Sequence, residues 1–315
     1  MSALIKGMKE NKVDIRKYNF SQITSLIQLI SSYQKQELHV FFNYMISCLE
    51  TDFFLKKVLQ ENFGAFSQLF HLFVKEGYIT VDSLTRFYYT YVLTLKDLLE
   101  NQGTSTVSFN ELVHVIWSLA TTEDESLSNP IIPRLYERLH DFKRPEKPLT
   151  KEELLELYQL SVYAQDQIKV GRWPKEFKEV IPQKVRDVIE EEHSNFDKNL
   201  YGDVQVDIAK KLLKLRATFQ ENTKVSKSFR VDFKLLDVDK VILLKGKDQI
   251  NPRTNELLGL YSMKYKFLSR RLKGIELIVI DIERWKQMDE EDQYAFLYNL
   301  SRFKESQGSG YNLAM

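Results

Sequence analysis

Basic and aromatic side chains are concentrated in one stretch near the C-terminus, at spacings suited to binding phosphate groups. Between Lys224 and Gly274 we count thirteen Lys or Arg against five Asp or Glu, although the net charge of the 315-residue chain is only +1. Lys266, Arg270 and Lys273 follow one another at spacings of four and three, which places them on one face of a helix. Cationic side chains grouped in this way contact the backbone phosphates of nucleic acids.

Two tyrosines of the same predicted helix leave two interpretations open. Tyr261 and Tyr265 could stack on unpaired bases. They could equally pack an amphipathic helix against a sheet. The basic side chains have a comparable alternative, because most Lys/Arg runs are simply solvated faces of helices.

The elements that must position these side chains follow a change of hydrophobic period after Asn222. Apolar and charged residues alternate in 229–235, as in a half-buried strand. Val241–Leu244 and Leu277–Ile282 are continuous apolar runs, which suit strands covered on both faces. Leu257–Leu272 has the period of a helix, so we expect two parallel strands joined by a crossover helix.

Two features close this predicted α/β domain. Trp285 follows the last apolar run, and a core position is a better explanation for it than a base-stacking role. The acidic run Asp289–Asp292 precedes a predicted helix, where negative charge suits the free amides of the first turn. We therefore interpret that run as a helix cap.

Upstream, residues 20–222 have the periodicity of successive amphipathic helices. Ser108 with Glu111 and Thr150 with Glu153 fit the capping box that marks a helix start. The predicted helices are Ser21–Tyr33, Glu37–Glu50, Asp52–Asn62, Ala65–Lys75, Val81–Asn101, Phe109–Thr121, Ile132–Phe142, Lys151–Gln167, Lys175–Glu192 and Val204–Gln220.

The spacing of about 30 to 45 residues between corresponding helices favours a stack of helical hairpins over a compact bundle. We therefore predict a mainly α chain with a C-terminal α/β domain. Its parts would be an N-terminal extension (1–19), a helical-repeat scaffold of α-hairpins (20–222) and the α/β domain (223–315).

Composition excludes several other classes of protein. No run of eighteen apolar residues occurs, so we predict no membrane span. The single Cys48 cannot form an internal disulfide, which favours a reducing compartment. No Cys or His lies at zinc-ligand spacing, so we predict no metal site and regard the histidines as helix-face residues. The five are His39, His71, His114, His140 and His193.

The C-terminal segment resembles the RAP domain, a module of organellar RNA-binding proteins that include the FAST kinase domain family. The residues that carry the resemblance are Arg230–Phe233, Lys240–Gly246, Leu257–Gly259, Met263–Leu268 and Gly274–Trp285. The chain departs from the family in a longer gap between Leu268 and Gly274 and in an altered turn after the second strand. The helix around Trp117 also resembles one that recurs in the FAST kinase domain family.

This resemblance implies an endonuclease-like core, whose chemistry needs two or three carboxylates converging on Mg²⁺. Asp232 occupies the first acidic position, but the next two positions hold Leu243 and Lys245, and neither side chain can bind the ion. We therefore predict a degenerate core with no catalytic residue, no metal and no cofactor. The nearby acids that could replace the missing ligands are Asp237, Asp239 and Asp248.

The resemblance further implies a non-catalytic mitochondrial RNA-binding protein, such as a subunit or assembly factor of the mitochondrial ribosome or another ribonucleoprotein. The RAP-like domain would contact organellar rRNA or mRNA, and the helical region would contact protein subunits; DNA is not an expected partner. The residues predicted to contact RNA are Lys245, Lys247, Lys264, Lys266, Arg270, Arg271, Lys273, Tyr261 and Tyr265. The alternatives are a metal-dependent RNA-processing endonuclease that uses Asp232, and a purely structural subunit of a mitochondrial complex.

Overall fold

The structure, a computed structural model, is mostly helical and has a small mixed sheet of four strands towards the C-terminus. It describes residues 63–77, 91–93, 95–96, 108–122, 131–139, 149–174, 201–225, 229–252, 255–272 and 274–302, with the single residues 7, 17, 18, 22 and 25. The chain forms two compact units. The first is Met1–Val180 with Asn251–Leu260, and the second is Ile181–Ile250 with Tyr261–Met315.

Four helices of the first unit are described in full. They are α1 (Phe63–Lys75), α2 (Phe109–Thr122), α3 (Ile131–Arg138) and α4 (Lys151–Lys169). Their bounds agree with the predicted helices to within a few residues, and the last part of the helix predicted at Ile132–Phe142, residues 140–142, lies outside the described residues. Helix α2 is buried along most of its length, with Trp117 completely enclosed. It therefore forms the centre of this unit's core.

Both predicted capping boxes are present. The Thr150 hydroxyl accepts a hydrogen bond from the Glu153 amide, and the Glu153 carboxylate accepts one from the Thr150 amide. Ser108 and Glu111 make the same reciprocal pair ahead of α2. Each box satisfies amides that the first helical turn leaves without partners, which fixes where the helix begins.

The stretch Asn251–Leu260 belongs to the first unit although it lies between strands of the second in sequence. The Asn251 side-chain amide donates to the carbonyl of Glu76, 2.6 Å away. The Gln159 amide donates to the carbonyl of Leu260, and the Gln159 carbonyl accepts from the Trp117 indole. The first unit thus includes a segment that the sequence predicts to lie in the C-terminal α/β domain.

The second unit contains helix α5 (Gly202–Lys214), strands β1 (Phe219–Lys224), β2 (Arg230–Leu235) and β3 (Lys240–Lys245), helix α6 (Gly259–Arg271), strand β4 (Glu276–Asp281) and helices α7 (Ile282–Gln287) and α8 (Glu290–Arg302). The first two residues of α6 are grouped with the first unit. The strand order is β1-β2-β3-β4. The β1–β2 and β2–β3 pairs are antiparallel, and β3–β4 is parallel.

The predicted strands and the parallel crossover are confirmed. Buried and half-buried residues alternate along β2, whereas the four central residues of β3 are all buried. The prediction of a helix continuing to Gln220 is wrong. Arg216 adopts a left-handed backbone conformation (φ 56°), and the Ala217 amide bonds back to the carbonyl of Leu212, which ends α5 without a glycine. Phe219 and Gln220 then begin β1.

One face of the sheet packs against α5 and the C-terminal helices. Ile208 and Leu212 of α5 join Phe233 and Ile242 of the sheet in a buried cluster that includes Trp285. The Trp285 indole donates to the Asp207 carboxylate, 2.9 Å away. The prediction of Trp285 as a core residue is therefore confirmed. Helix α5 belongs to the same core, although most of its sequence resembles the predicted helical scaffold.

The cap at the last helix also follows the prediction, since the Asp289 carboxylate accepts from the Asp292 amide at 2.8 Å. Among the described residues, no helix combines the length and apolar content that a bilayer-spanning segment needs. The domain boundaries at residues 19 and 222 stay predictions. The helices predicted at Glu37–Glu50, Asp52–Asn62 and Lys175–Glu192 lie outside the described residues, as do most of Val81–Asn101 and all of Ser21–Tyr33 except Gln22 and Ser25.

Candidate functional site

The lysines of β3 and the turn after it are paired with carboxylates. Lys245 Nζ lies 3.3 Å from Asp281 Oδ2, and Lys247 Nζ lies 2.8 Å from Glu283 Oε2. The parallel register places Lys245 directly opposite Asp281, whose other oxygen caps the first amides of α7. Lys247 is nevertheless 76% exposed at its side chain and could exchange its partner for a phosphate.

The predicted contacts on α6 are less accessible than the sequence suggests. Tyr261, Tyr265 and Lys264 are each only 8% exposed, and Lys266 and Arg270 are half-buried. Of the two roles left open for these tyrosines, their burial favours packing of the helix over stacking on bases. The side chain of Arg271 and the whole of Lys273 lie outside the described residues.

Of the three positions compared with an endonuclease core, only the one at Asp232 holds a carboxylate, and that carboxylate has a backbone partner. Asp232 Oδ2 accepts a hydrogen bond from the Leu244 amide at 2.8 Å. Leu243 is buried, and the ammonium group of Lys245 is held by Asp281. The three compared positions, Asp232, Leu243 and Lys245, therefore offer a divalent cation one carboxylate beside a positive charge, which is a poor site for Mg²⁺.

Two of the three candidate replacement acids also have structural partners. The Tyr201 hydroxyl donates to Asp248, and Tyr201 packs over Gly246 in the turn after β3. Burial raises the pKa of the Tyr201 hydroxyl, and the hydrogen bond to Asp248 raises it further. Asp237 accepts the Thr218 amide at 2.8 Å. Asp248 therefore stabilises the turn after β3, and Asp237 stabilises the start of β1.

A cluster that sequence analysis missed lies in the first unit, where His71 of α1, His114 of α2 and Glu156 of α4 meet. Their nearest nitrogen and oxygen atoms all lie within 4.8 Å of one another. His71 Nε2 is 2.7 Å from Glu156 Oε1, and the two imidazole rings stack with centroids 4.0 Å apart. The Glu156 side chain is only 2% exposed. We call these three residues the histidine–glutamate cluster.

Electrostatics keeps one of the imidazoles neutral near physiological pH. Burial lowers the pKa of His114 to about 4, and the neighbouring His71 acts in the same direction against the opposing effect of Glu156. Glu153 lies at the edge of the cluster, with Oε1 3.4 Å from His114 Nε2. Burial works to raise the pKa of Glu153, but hydrogen bonds with Thr150 bring it below its usual value.

The sequence carries a weak signal for this cluster. His71 and Glu156 are 85 residues apart, so no local spacing connects them. The expectation that the histidines lie singly on helix faces is wrong for His71 and His114, whose rings are in contact. A helix-by-helix search for His and Glu on inward faces could have suggested the residues, but not that they meet.

Comparison with known proteins leaves the family unassigned. No protein-family model matches the chain, and no curated protein matches it either.

Proposed function

We propose that this chain is a non-catalytic organellar RNA-binding protein in which the second unit is a degenerate, endonuclease-like RAP domain. RNA contact would come from the exposed or half-buried cations Lys247, Lys266 and Arg270. In this proposal the first unit is a helical-repeat scaffold that binds protein subunits of a ribonucleoprotein, such as a mitochondrial ribosome.

The observation that carries the non-catalytic part is the environment of Asp232. Its carboxylate accepts the Leu244 amide, while Leu243 and Lys245 stand where further metal ligands would be needed. Phosphodiester hydrolysis at such a site needs a cation held by clustered oxygens that activates water. Binding needs only positive charge that can reach phosphates, and that requirement is compatible with the side chains present.

The RNA-binding part is tested by reversing the three cations in the full chain. The Lys247→Glu, Lys266→Glu, Arg270→Glu variant is compared with wild type by fluorescence anisotropy on a labelled single-stranded RNA over a range of salt concentrations. If each cation contacts one phosphate, the salt dependence of log K should become shallower by about 2, since each contact contributes about 0.7 on single strands. Lys264 is left unchanged because it is buried, and a carboxylate there would destabilise the fold whether or not Lys264 contacts RNA.

The matched control removes the same charge from elsewhere in the second unit. Lys210, Lys214 and Lys286 are all exposed, and their triple reversal to Glu changes the net charge equally. The control should retain most of the affinity and the salt slope. If the two triple variants bind RNA equally, the predicted surface is wrong and only general electrostatic attraction remains.

Catalysis is tested separately by incubating wild type and Asp232→Ala with RNA in the presence of Mg²⁺ or Mn²⁺. We expect no cleavage by either protein. Metal-dependent cleavage that disappears in the variant would establish the endonuclease alternative instead.

A purely structural role is the second candidate, and a specific observation favours it. Lys245 and Lys247 are ion-paired, while Lys264, Tyr261 and Tyr265 are buried, so at least five of the nine predicted RNA contacts have structural explanations. Crosslinking in cells followed by sequencing of the attached RNA separates the two candidates. Recovery of a defined RNA supports the first, and recovery of protein partners without RNA supports the second.

A further inference from the structure

The histidine–glutamate cluster brings two imidazoles and a carboxylate together from three different helices. His71, His114 and Glu156 lie on α1, α2 and α4. His71 Nε2 to Glu156 Oε1 is 2.7 Å, and His114 Nε2 to Glu156 Oε2 is 3.9 Å. Each residue therefore has a ligand-type atom directed at the same small region.

The hydrogen bonding of the cluster is incomplete. Glu156 Oε2 and His114 Nδ1 are both buried and have no hydrogen-bond partner within the described part of the chain. Glu156 is nearly inaccessible to water, and a buried carboxylate oxygen without a hydrogen-bond partner destabilises the fold unless another group compensates it. Such unsatisfied atoms in a native core call for an explanation, and a bound ion is one of the few available.

We propose that His71, His114 and Glu156 bind a Zn²⁺ ion that links the three helices. Two imidazole nitrogens and one carboxylate oxygen form a donor set that Zn²⁺ accepts, and a fourth position would remain for water or another group. Imidazole ligands favour Zn²⁺ over Mg²⁺ or Ca²⁺, which prefer oxygen alone.

Metal binding requires a small rearrangement of the side chains. With ligand distances of about 2.0 Å, donor atoms around a tetrahedral ion lie about 3.3 Å apart, so His71 Nε2 and Glu156 Oε1 must separate from their 2.7 Å hydrogen bond. The rings stack with an interplanar angle of 12°, and one ring must turn so that both nitrogens point at the ion. The side chains of His71 and His114 are 12% and 17% exposed, so neither ring is completely enclosed.

The ion would stabilise the first unit, because a ligand that binds the folded chain and not the unfolded one shifts the equilibrium by mass action. It would also join residues that lie far apart in sequence. Because the unfolded chain lacks a preformed site, the free energy of metal binding would contribute directly to the free energy of folding. This inference is independent of RNA binding, since the cluster and the proposed RNA surface lie in different units.

The experiment titrates the metal-stripped full chain with Zn²⁺ alone in a competition assay against a chromophoric chelator. Circular dichroism verifies that each variant is folded. We expect one Zn²⁺ per wild-type chain, an affinity reduced at least about tenfold in Glu156→Gln, and a similar loss in His71→Gln. Substitution with Co²⁺ gives a second readout, because a tetrahedral complex with nitrogen ligands has visible absorption bands that the variants should lose.

Glu152→Gln is the matched control. It removes the same charge from the same helix one turn earlier, but Glu152 is 61% exposed and pairs with Lys75. This variant should bind Zn²⁺ as wild type does. The proposal is overturned if folded wild type binds no Zn²⁺ more tightly than Glu156→Gln, or if Glu152→Gln loses as much affinity as Glu156→Gln.

Discussion

Replacing Gly259 by alanine tests the packing that holds the Asn251–Leu260 stretch in the first unit. A Cβ at this position would lie 2.5 Å from Trp117 Cη2 and 2.7 Å from the carbonyl oxygen of Val74, and 3.2 Å from the Cα atom of Lys75. Ordinary van der Waals contact begins near 3.4 Å, so at least one neighbour would have to move by roughly 1 Å.

None of these neighbours can move cheaply. Trp117 is completely buried, and its indole is fixed by Gln159, 2.8 Å away. The other two contacts are backbone atoms of α1. Overpacking of this kind costs about 1–3 kcal/mol, and the fixed surroundings place Gly259→Ala towards the upper end of that range. Alanine is the better helix former, but that gain amounts to less than about 1 kcal/mol at a first-turn position.

Gly202→Ala supplies the matched comparison. Gly202 and Gly259 are each the first residue of a helix of 13 residues, and neither has a positive φ. A Cβ at Gly202 would meet no atom of the described residues within 4 Å. Any benefit from helix propensity is therefore common to both variants, and the difference between them isolates the steric contact.

Urea unfolding followed by circular dichroism measures both variants against wild type. Gly202→Ala should be neutral or slightly stabilising, whereas Gly259→Ala should lower the free energy of unfolding by about 1–3 kcal/mol. Equal stability of the two variants would refute the close approach of Trp117 to Gly259 and the packing inferred from it.

Two further predictions concern the second unit's core and a helix start. Burial raises the pKa of Asp207, but hydrogen bonds from Lys211 and Trp285 outweigh it and bring the pKa below 3.8. The ionised carboxylate therefore stabilises the fold above about pH 4, and this contribution is lost as the pH falls through the folded-state pKa. Asp207→Asn should lower the free energy of unfolding by about 1 kcal/mol near neutral pH. The difference in stability between this variant and wild type should disappear in acid. Ser108→Ala should cost about 1 kcal/mol in urea unfolding because it removes the hydroxyl that caps the Glu111 amide, and an unchanged midpoint would contradict that role.

Charge counted along the sequence overstated the positive surface. The excess between Lys224 and Gly274 is matched in part by acids of the following strand and helix, because parallel pairing puts Lys240 opposite Glu276 and Lys245 opposite Asp281. A linear window cannot show this compensation, since strand register is set by pairing between residues far apart in sequence.

Strand β1 was not predictable for a related reason. Its sequence, Phe219–Lys224, is almost entirely polar and lacks the alternation that identified β2. It becomes a strand because its backbone pairs with β2 in antiparallel register. It lies at the edge of the sheet, and its other side has no strand partner among the described strands. Hydrogen bonding between backbones, and not side-chain pattern, determines this element.

The sequence alone determined the elements whose cause is local. Alternation in β2, the apolar run in β3 and the capping boxes at Ser108 and Thr150 each depend on residues within one turn or one strand. Only the tertiary structure decided which side chains meet. In that structure α5 packs in the core of the sheet, Tyr261 and Tyr265 are buried, and His71 stacks on His114. The physical reason is that burial and contact between distant residues arise only when whole elements pack together.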